Sequence, residues 1–247
     1  MNKDHSHDTT LPLDQSSAYE LIRRADLWSS LLRRQEEESI ARIVPYDSEL
    51  IAQKKQDFIG ERSLVDVLEE LHWNEEDLDL HLHLPDALTK FATSRFGPGL
   101  EEEFLSANGG HDQITYSLLR VRDQGLAQEL WIRLEEGEAT FVVIAEDFGE
   151  GPEAKRKGLV GPIPVGQIQP PELVTLLKSL KVGDVHPPVI LGEWHVLLRL
   201  ENLQPARFDD QMRDHLMRTQ LNTFLEDRVQ LRLKGQFLEE LDYDQLS

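Results

Sequence analysis

Two pairs of histidines are the first places where residue type and spacing could do chemistry. "DHSHD" carries His5 and His7, and "DLDLHLHLPD" carries His81 and His83. Imidazoles two residues apart can share one side of a strand and ligate a metal. His5 and His7 could bind a metal loosely, and His81 and His83 have no companion carboxylate or histidine at a convincing spacing, so no metal and no cofactor is expected. His5 and His7 read as part of a flexible polar arm, His81 and His83 as surface polar positions. Cysteine is absent, which removes disulfides, thiolate ligands and a thiol nucleophile together. Its absence fits a reducing compartment.

The 247 residues carry 26 basic and 46 acidic side chains, a formal net charge of −20. Such a surface does not neutralise phosphates and does not adsorb to anionic lipid, so neither nucleic acid nor a membrane is an expected partner. It favours solubility, and a basic peptide is compatible with it. The polar start lacks an apolar signal core, and no run reaches the ~18 apolar residues of a membrane span. A cytoplasmic location is the expectation.

The elements that would position any site fall into four blocks. Residues 1–15 read as a disordered arm. Residues 16–110 read as helical. One run opens at Ser16 or Ser17, with Glu20 placed for a capping box, and ends at Pro45. A second breaks near Gly60, and a third is capped by Asn74 with Glu75, Glu76 and Asp77 in its first turn. Inside that third run "DLDLHLHLPD" alternates like a strand. Residues 111–205 change character. "DQITYSLLRV" reads as a strand, and "DQGLAQELWIRLEEGEA" as a helix with Leu126, Leu130, Ile132 and Leu134 on its apolar side. "TFVVIAEDFGEG" fits helix or strand, and Pro/Gly loops follow. The helix "PPELVTLLKSL" and the strands "HPPVIL" and "EWHVLLRLENL" close the block. Pro187 and Pro188 mark an edge or a strand start. Residues 206–247 read as one amphipathic helix with Met212, Leu216, Leu221, Phe224, Leu225, Leu231 and Leu233 buried, ended or bent at Gly235. It must bury that side against the N-terminal helices, which makes the α+β block an insertion into one helical unit. The fold class is α+β.

The segment "FVVIAEDFGEGPEAKRKGLVGPIPVGQIQPPELVTLLKSLKVGDVHPPV" carries an ordered set of short motifs. These are "FVVIAEDFG" at Phe141 to Gly149, "GLVG" at Gly158 to Gly161, "GQI" at Gly166 to Ile168, "KVGDVHPPV" at Lys181 to Val189 and "GEWH" at Gly192 to His195. Together they resemble the parvulin family of peptidyl-prolyl cis–trans isomerases, over roughly Asp112 to Gln204. The layout of helices, parvulin-like domain and C-terminal helix is similar to chaperones of the SurA and PrsA type. It is most similar to cytoplasmic cyanobacterial peptidyl-prolyl isomerases, some of which accompany peptide exporters.

The resemblance implies a small antiparallel sheet with helices, FKBP-like in architecture, and an apolar pocket for a proline ring beside a polar cluster. The last-strand histidine of that cluster falls on His195. The first-strand histidine falls on Ser117, and the Cys or Asp position on Gly151, with Glu150 beside it. Ser117 retains a hydrogen-bonding hydroxyl, and Glu150 could replace the missing carboxylate. The apolar pocket position falls on Ile168, with Ile163 ahead of it and Trp194 before the histidine. A pocket aromatic is lost near Glu172. The expected function is a prolyl isomerase-like foldase or chaperone acting on proline-containing peptides or unfolded chains. The alternative is a binding protein that holds such a client, such as an exported precursor, without turning it over. A helical adaptor with the domain as a spacer would bind no peptide.

Overall fold

The computed structural model describes residues 14–241. His5 and His7 lie outside the described residues. The chain divides into two compact units, one made of the residues up to Leu100 together with those from Asp210, the other of Glu101–Asp209. No helix among the described residues is long and apolar enough to cross a membrane.

The first unit is helical. α1 (Gln15–Arg24) starts at Asp14, whose carboxylate accepts from the Ser17 amide at 2.9 Å. The cap is thus Asp14, not Ser16 or Ser17. The run expected to continue to Pro45 breaks at Asp26, where φ is +54°, and α2 (Trp28–Ile43) follows. A short polar side chain tolerates this left-handed conformation. α3 (Ser48–Ile59) ends at Gly60, and α4 (Leu64–Leu71) starts with Ser63 accepting from the Asp66 amide.

α5 (Glu75–Phe96) takes in the whole alternating stretch. Asn74 and Asp77 form a reciprocal capping box, and Leu84, Ala87 and Phe91 are buried at helical spacing, with partly buried Leu80 on the same side. That stripe outweighs the two-residue alternation, and the helix runs through Pro85 despite a cost of about 3 kcal/mol. His81 is exposed as expected and rests against Trp73. His83 is buried instead, its Nε2 3.4 Å from the Val44 carbonyl and its ring 5.2 Å from that of Tyr46. The helix turns the two histidines about 200° apart, so they cannot share one side.

α10 (Asp210–Leu233) packs against α2 and α5. Leu216, Leu225 and Val229 are buried, whereas Leu231 and Leu233, expected inside, are exposed. The helix has run past the apolar surface it covers. Its second link to α2 is ionic. Glu36, 3% exposed, accepts from Arg228 Nε at 2.6 Å and Arg232 at 2.9 Å.

The second unit takes in α6 (Leu100–Ser106) from Glu101 onward and is organised by an antiparallel sheet in the order β2-β1-β4-β3. The strands are β1 (Gln113–Val121), β2 (Leu159–Pro164), β3 (Val185–Leu191) and β4 (Trp194–Gln204). Between β1 and β2 lie α7 (Gln124–Glu135) and α8 (Phe141–Phe148), and between β2 and β3 lies α9 (Glu172–Ser179). Residues expected to be loop therefore contain an edge strand. Pro162 and Pro164 fit there because an edge leaves every second amide unpaired. Gly161, at φ +109°, lets β2 approach β1, since a Cβ would meet the Ile114 carbonyl oxygen at 2.5 Å. Pro187 and Pro188 do lie in an edge strand, but inside it, where the β3–β4 register shifts between His186 and Val189.

The sheet is covered on both faces. Leu119, Val121 and Leu197 pack with α7 and α8, while Ile114, Tyr116, Leu118, Val196, Leu198 and Leu200 pack with α9 and the turn before it. Each fully buried Leu or Ile contributes about 1.5–3 kcal/mol. On α7 the buried pair is Ala127 and Leu130, whereas Ile132 is 41% exposed.

Replacing both Arg228 and Arg232 by Ala leaves Glu36 buried without a counter-charge and is expected to destabilise the helical unit by about 3–5 kcal/mol. Urea denaturation followed by far-UV circular dichroism measures this. An unchanged midpoint would show that the pairs hold α10 in place only weakly.

Candidate functional site

One cleft of the second unit follows from strand alternation. Side chains two apart share a face, so Tyr116, Leu118 and Arg120 of β1 stand beside Trp194 and Val196 of β4 and line a cleft of about 730 Å³. Leu159 and Val160 of β2 form one side. Pro170, Glu172 and Leu173 at the start of α9 form another, and the turn Pro152–Arg156 supplies Pro152, Glu153 and Arg156. The volume suits a small ligand or a short peptide side-chain pair.

A charged pair stands in this largely apolar wall. Arg120 Nε donates to Glu153 Oε1 at 2.7 Å, with the Glu153 side chain only 7% exposed. The guanidinium of Arg120 is 6.0 Å from the Trp194 ring centroid, and that of Arg122 lies 4.7 Å over the same ring. The indole is thereby fixed between cations and apolar neighbours. Tyr116 is 5% exposed. Burial, reinforced by the negative charge of Glu153 and opposed by Arg120, holds its phenol pKa above the ordinary value.

The residues singled out from the sequence do not converge here. Trp194 lines the cleft. Ile168, 2% exposed, and Ile163 belong to the apolar core beneath it. Glu172, at the lost aromatic position, stands on the wall. Ser117 and His195 take the opposite strand phase, on the face of Leu119 and Leu197. The Ser117 hydroxyl donates to Glu201, which also accepts from Arg199. His195 pairs with Val121 and Ile190. Ser117 lies opposite Arg199, four residues along β4 from His195, or about 13 Å. These two groups cannot serve one amide. Glu150 is exposed and closes a loop on the end of β1. Its carboxylate accepts from the Arg122 amide at 2.9 Å, and its own amide donates to the Arg120 carbonyl at 3.0 Å.

Gly151 has a direct explanation. A Cβ at this position would collide with the Glu153 carboxylate and lie 2.6 Å from Arg120 Nε. The acid missing at position 151 is replaced in space by one from position 153. Tyr116, Arg120 and Glu153 are the polar groups that sequence reasoning passed over. The strand phase would have found the first two, since both lie an even number of residues from Leu118. Glu153 carries no periodic signal, because it sits in a 3-10 turn.

Residues 120–202 match the family described as Rotamase, PPIC-type PPIase domain. Comparison with curated protein sequences gave no match. Among solved structures the chain is similar to the peptidylprolyl isomerase PrsA of Bacillus anthracis, at 17% identity and a TM-score of 0.46, over 85% of this chain and 99% of that one. PrsA of Bacillus cereus gives 16% and 0.47, over 95% of each chain. A Campylobacter jejuni structure described as SurA-like chaperones gives 13% and 0.36, over 92% and 87%.

If Glu153 fills the space of a side chain at 151, changes at the two positions must be coupled. Gly151→Ala alone should cost about 1–3 kcal/mol by overpacking. Combined with Glu153→Ala it should cost less than the sum of the two singles by more than about 0.5 kcal/mol. Thermal or urea unfolding of the four-member cycle gives the answer, and strict additivity would refute the shared space.

Proposed function

We propose that the second unit is a prolyl-isomerase domain that takes an X–Pro segment of a client into the Tyr116–Trp194 cleft, and that the whole chain is a foldase for proline-containing or unfolded polypeptides. The observation that carries this reading is the PPIC-type match over residues 120–202, a span that contributes Arg120, Glu153, Val160, Leu173, Trp194 and Val196 to that cleft.

The chemistry demands little beyond such a cleft. Rotation about a peptide bond faces a barrier of ~18–20 kcal/mol, and X–Pro isomerisation takes tens to hundreds of seconds unaided. No covalent bond breaks. The protein need only hold the twisted amide more tightly than either planar form, each ~1.4 kcal/mol of preference giving a factor of ten. The twisted carbonyl has lost part of its charge, so an apolar wall of Leu118, Val160, Leu173 and Val196 suits it better than water does. Trp194 offers a flat ring on which the pyrrolidine can rest.

The second reading, a client-holding protein that does not catalyse, draws support from one observation: Ser117, Glu150 and His195 do not meet in the cleft. A cytoplasmic site of action and an exported precursor as client are the finer parts of the proposal. Both rest on the resemblance alone.

A protease-free isomerisation assay on a panel of X–Pro peptides separates the readings. The wild-type protein is expected to accelerate exchange at least tenfold at micromolar concentration. Trp194→Ala should weaken peptide binding about 30-fold, the loss typical of one aromatic anchor. Saturable binding without acceleration would favour the holding role. The absence of both would sink the two readings together.

A further inference from the structure

Tyr116 combines three properties on one wall of the cleft. It is almost wholly buried, its side chain lines the cavity, and among the described residues its hydroxyl makes no hydrogen bond. The hydroxyl has no partner among the described residues and opens on the cavity, so it is available to a ligand. Most Tyr hydroxyls placed so deeply find an acceptor in the protein. Here Ser117, the next residue along the strand, bonds to Glu201 on the other face. The acceptor that the Tyr116 hydroxyl lacks is one that a bound peptide can bring.

We propose that Tyr116 is the hydrogen-bond donor of this site, directed at the prolyl nitrogen of the client as its amide twists, an inference that rests on the prolyl-isomerase reading. In the planar amide the nitrogen lone pair is delocalised into the carbonyl, and the nitrogen accepts no hydrogen bond. Rotation breaks that resonance and returns the lone pair to nitrogen. A donor placed there binds the twisted form alone, which is the differential binding that lowers a barrier. No proton is transferred, and no bond is made or broken.

The protonation state fits this task. A phenol donates and a phenolate cannot. Burial and the adjacent Glu153 carboxylate both favour the neutral form, while the opposing charge of Arg120 is engaged by Glu153. Glu153 also holds the Arg120 guanidinium at the cleft wall, and its charge adds to the burial that favours the neutral phenol.

The test compares the wild-type protein with Tyr116→Phe in the protease-free assay, resolving kcat from KM and extending the pH profile upward. The variant removes one unpartnered oxygen, so folding should be unchanged by circular dichroism. If Tyr116 donates in the twisted state, kcat falls about 10- to 100-fold with KM within a factor of two. Wild-type activity should also decline only above about pH 10, where a phenol ionises, and the variant should lack that step. An unchanged kcat overturns the inference and leaves the isomerase reading intact, as does a rise in KM alone, which would make Tyr116 only a wall of the pocket. No acceleration by the wild-type protein, despite native circular dichroism, overturns the isomerase reading and this inference with it.

Discussion

Everything about the cleft depends on the antiparallel pairing of β1 with β4. The two strands run in continuous register from Tyr116 opposite Leu200 to Val121 opposite His195. Because side chains alternate strictly between faces, this one register sends Tyr116, Leu118 and Arg120 with Trp194 and Val196 to the cleft. It sends Ser117, Leu119, Val121, His195 and Leu197 to the helices α7 and α8. A slip of one residue would exchange the two sets. The phase is held by burial on both sides, since Leu119 and Leu197 on one face and Leu198 and Leu200 on the other are at most 2% exposed. The register shifts once, between Thr115 and Tyr116, and beyond it Leu203 joins the core of the cleft face. The bulge lets β4 keep contact with that core while its polar end turns away.

Both units place a carboxylate where water has been removed, with different consequences. In the helical unit Glu36 is neutralised by two arginines from α10, and the cluster serves to join two helices. In the sheet unit Glu153 has one partner, Arg120, and the pair stands in the wall of a cavity. Buried ion pairs add little net stability, because the Coulombic gain is largely spent on desolvation. What the Arg120–Glu153 pair does is orient. It occupies the space beside Gly151, flanks Trp194 and biases the charge state of Tyr116. Two of the three polar positions implied by the family resemblance are replaced in the sequence, yet charged and hydroxyl groups stand in the cleft from other positions.

Much of the framework was legible in the chain. The strands at Gln113–Val121 and Trp194–Gln204, the helix after Pro171, the break at Gly60 and the cap at Asn74 are all local in origin. Each rests on side-chain periodicity or on a residue that satisfies or starves nearby backbone groups. Legibility failed where a local pattern competed with a tertiary one. Residues 77–86 alternate as a strand does, but the apolar stripe of Leu80, Leu84, Ala87 and Phe91 needs a helical surface to pack on. "LVGPIP" has loop composition, and it becomes a strand because β1 offers an unpaired edge.

For the site, the sequence by itself determined the inventory. It set an α+β unit with motifs that resemble those of prolyl isomerases, a cysteine-free and strongly acidic chain, and Trp194 as a candidate for the site. Only the tertiary structure decided which polar groups meet. Strand phase depends on the partner strand and on the core it covers, and neither is visible in the spacing of Ser117, Glu150 and His195. Glu153 reaches the place of position 151 because a 3-10 turn and a glycine bring its carboxylate back against Arg120. That convergence is a property of the packed chain in space, and no distance along the sequence encodes it.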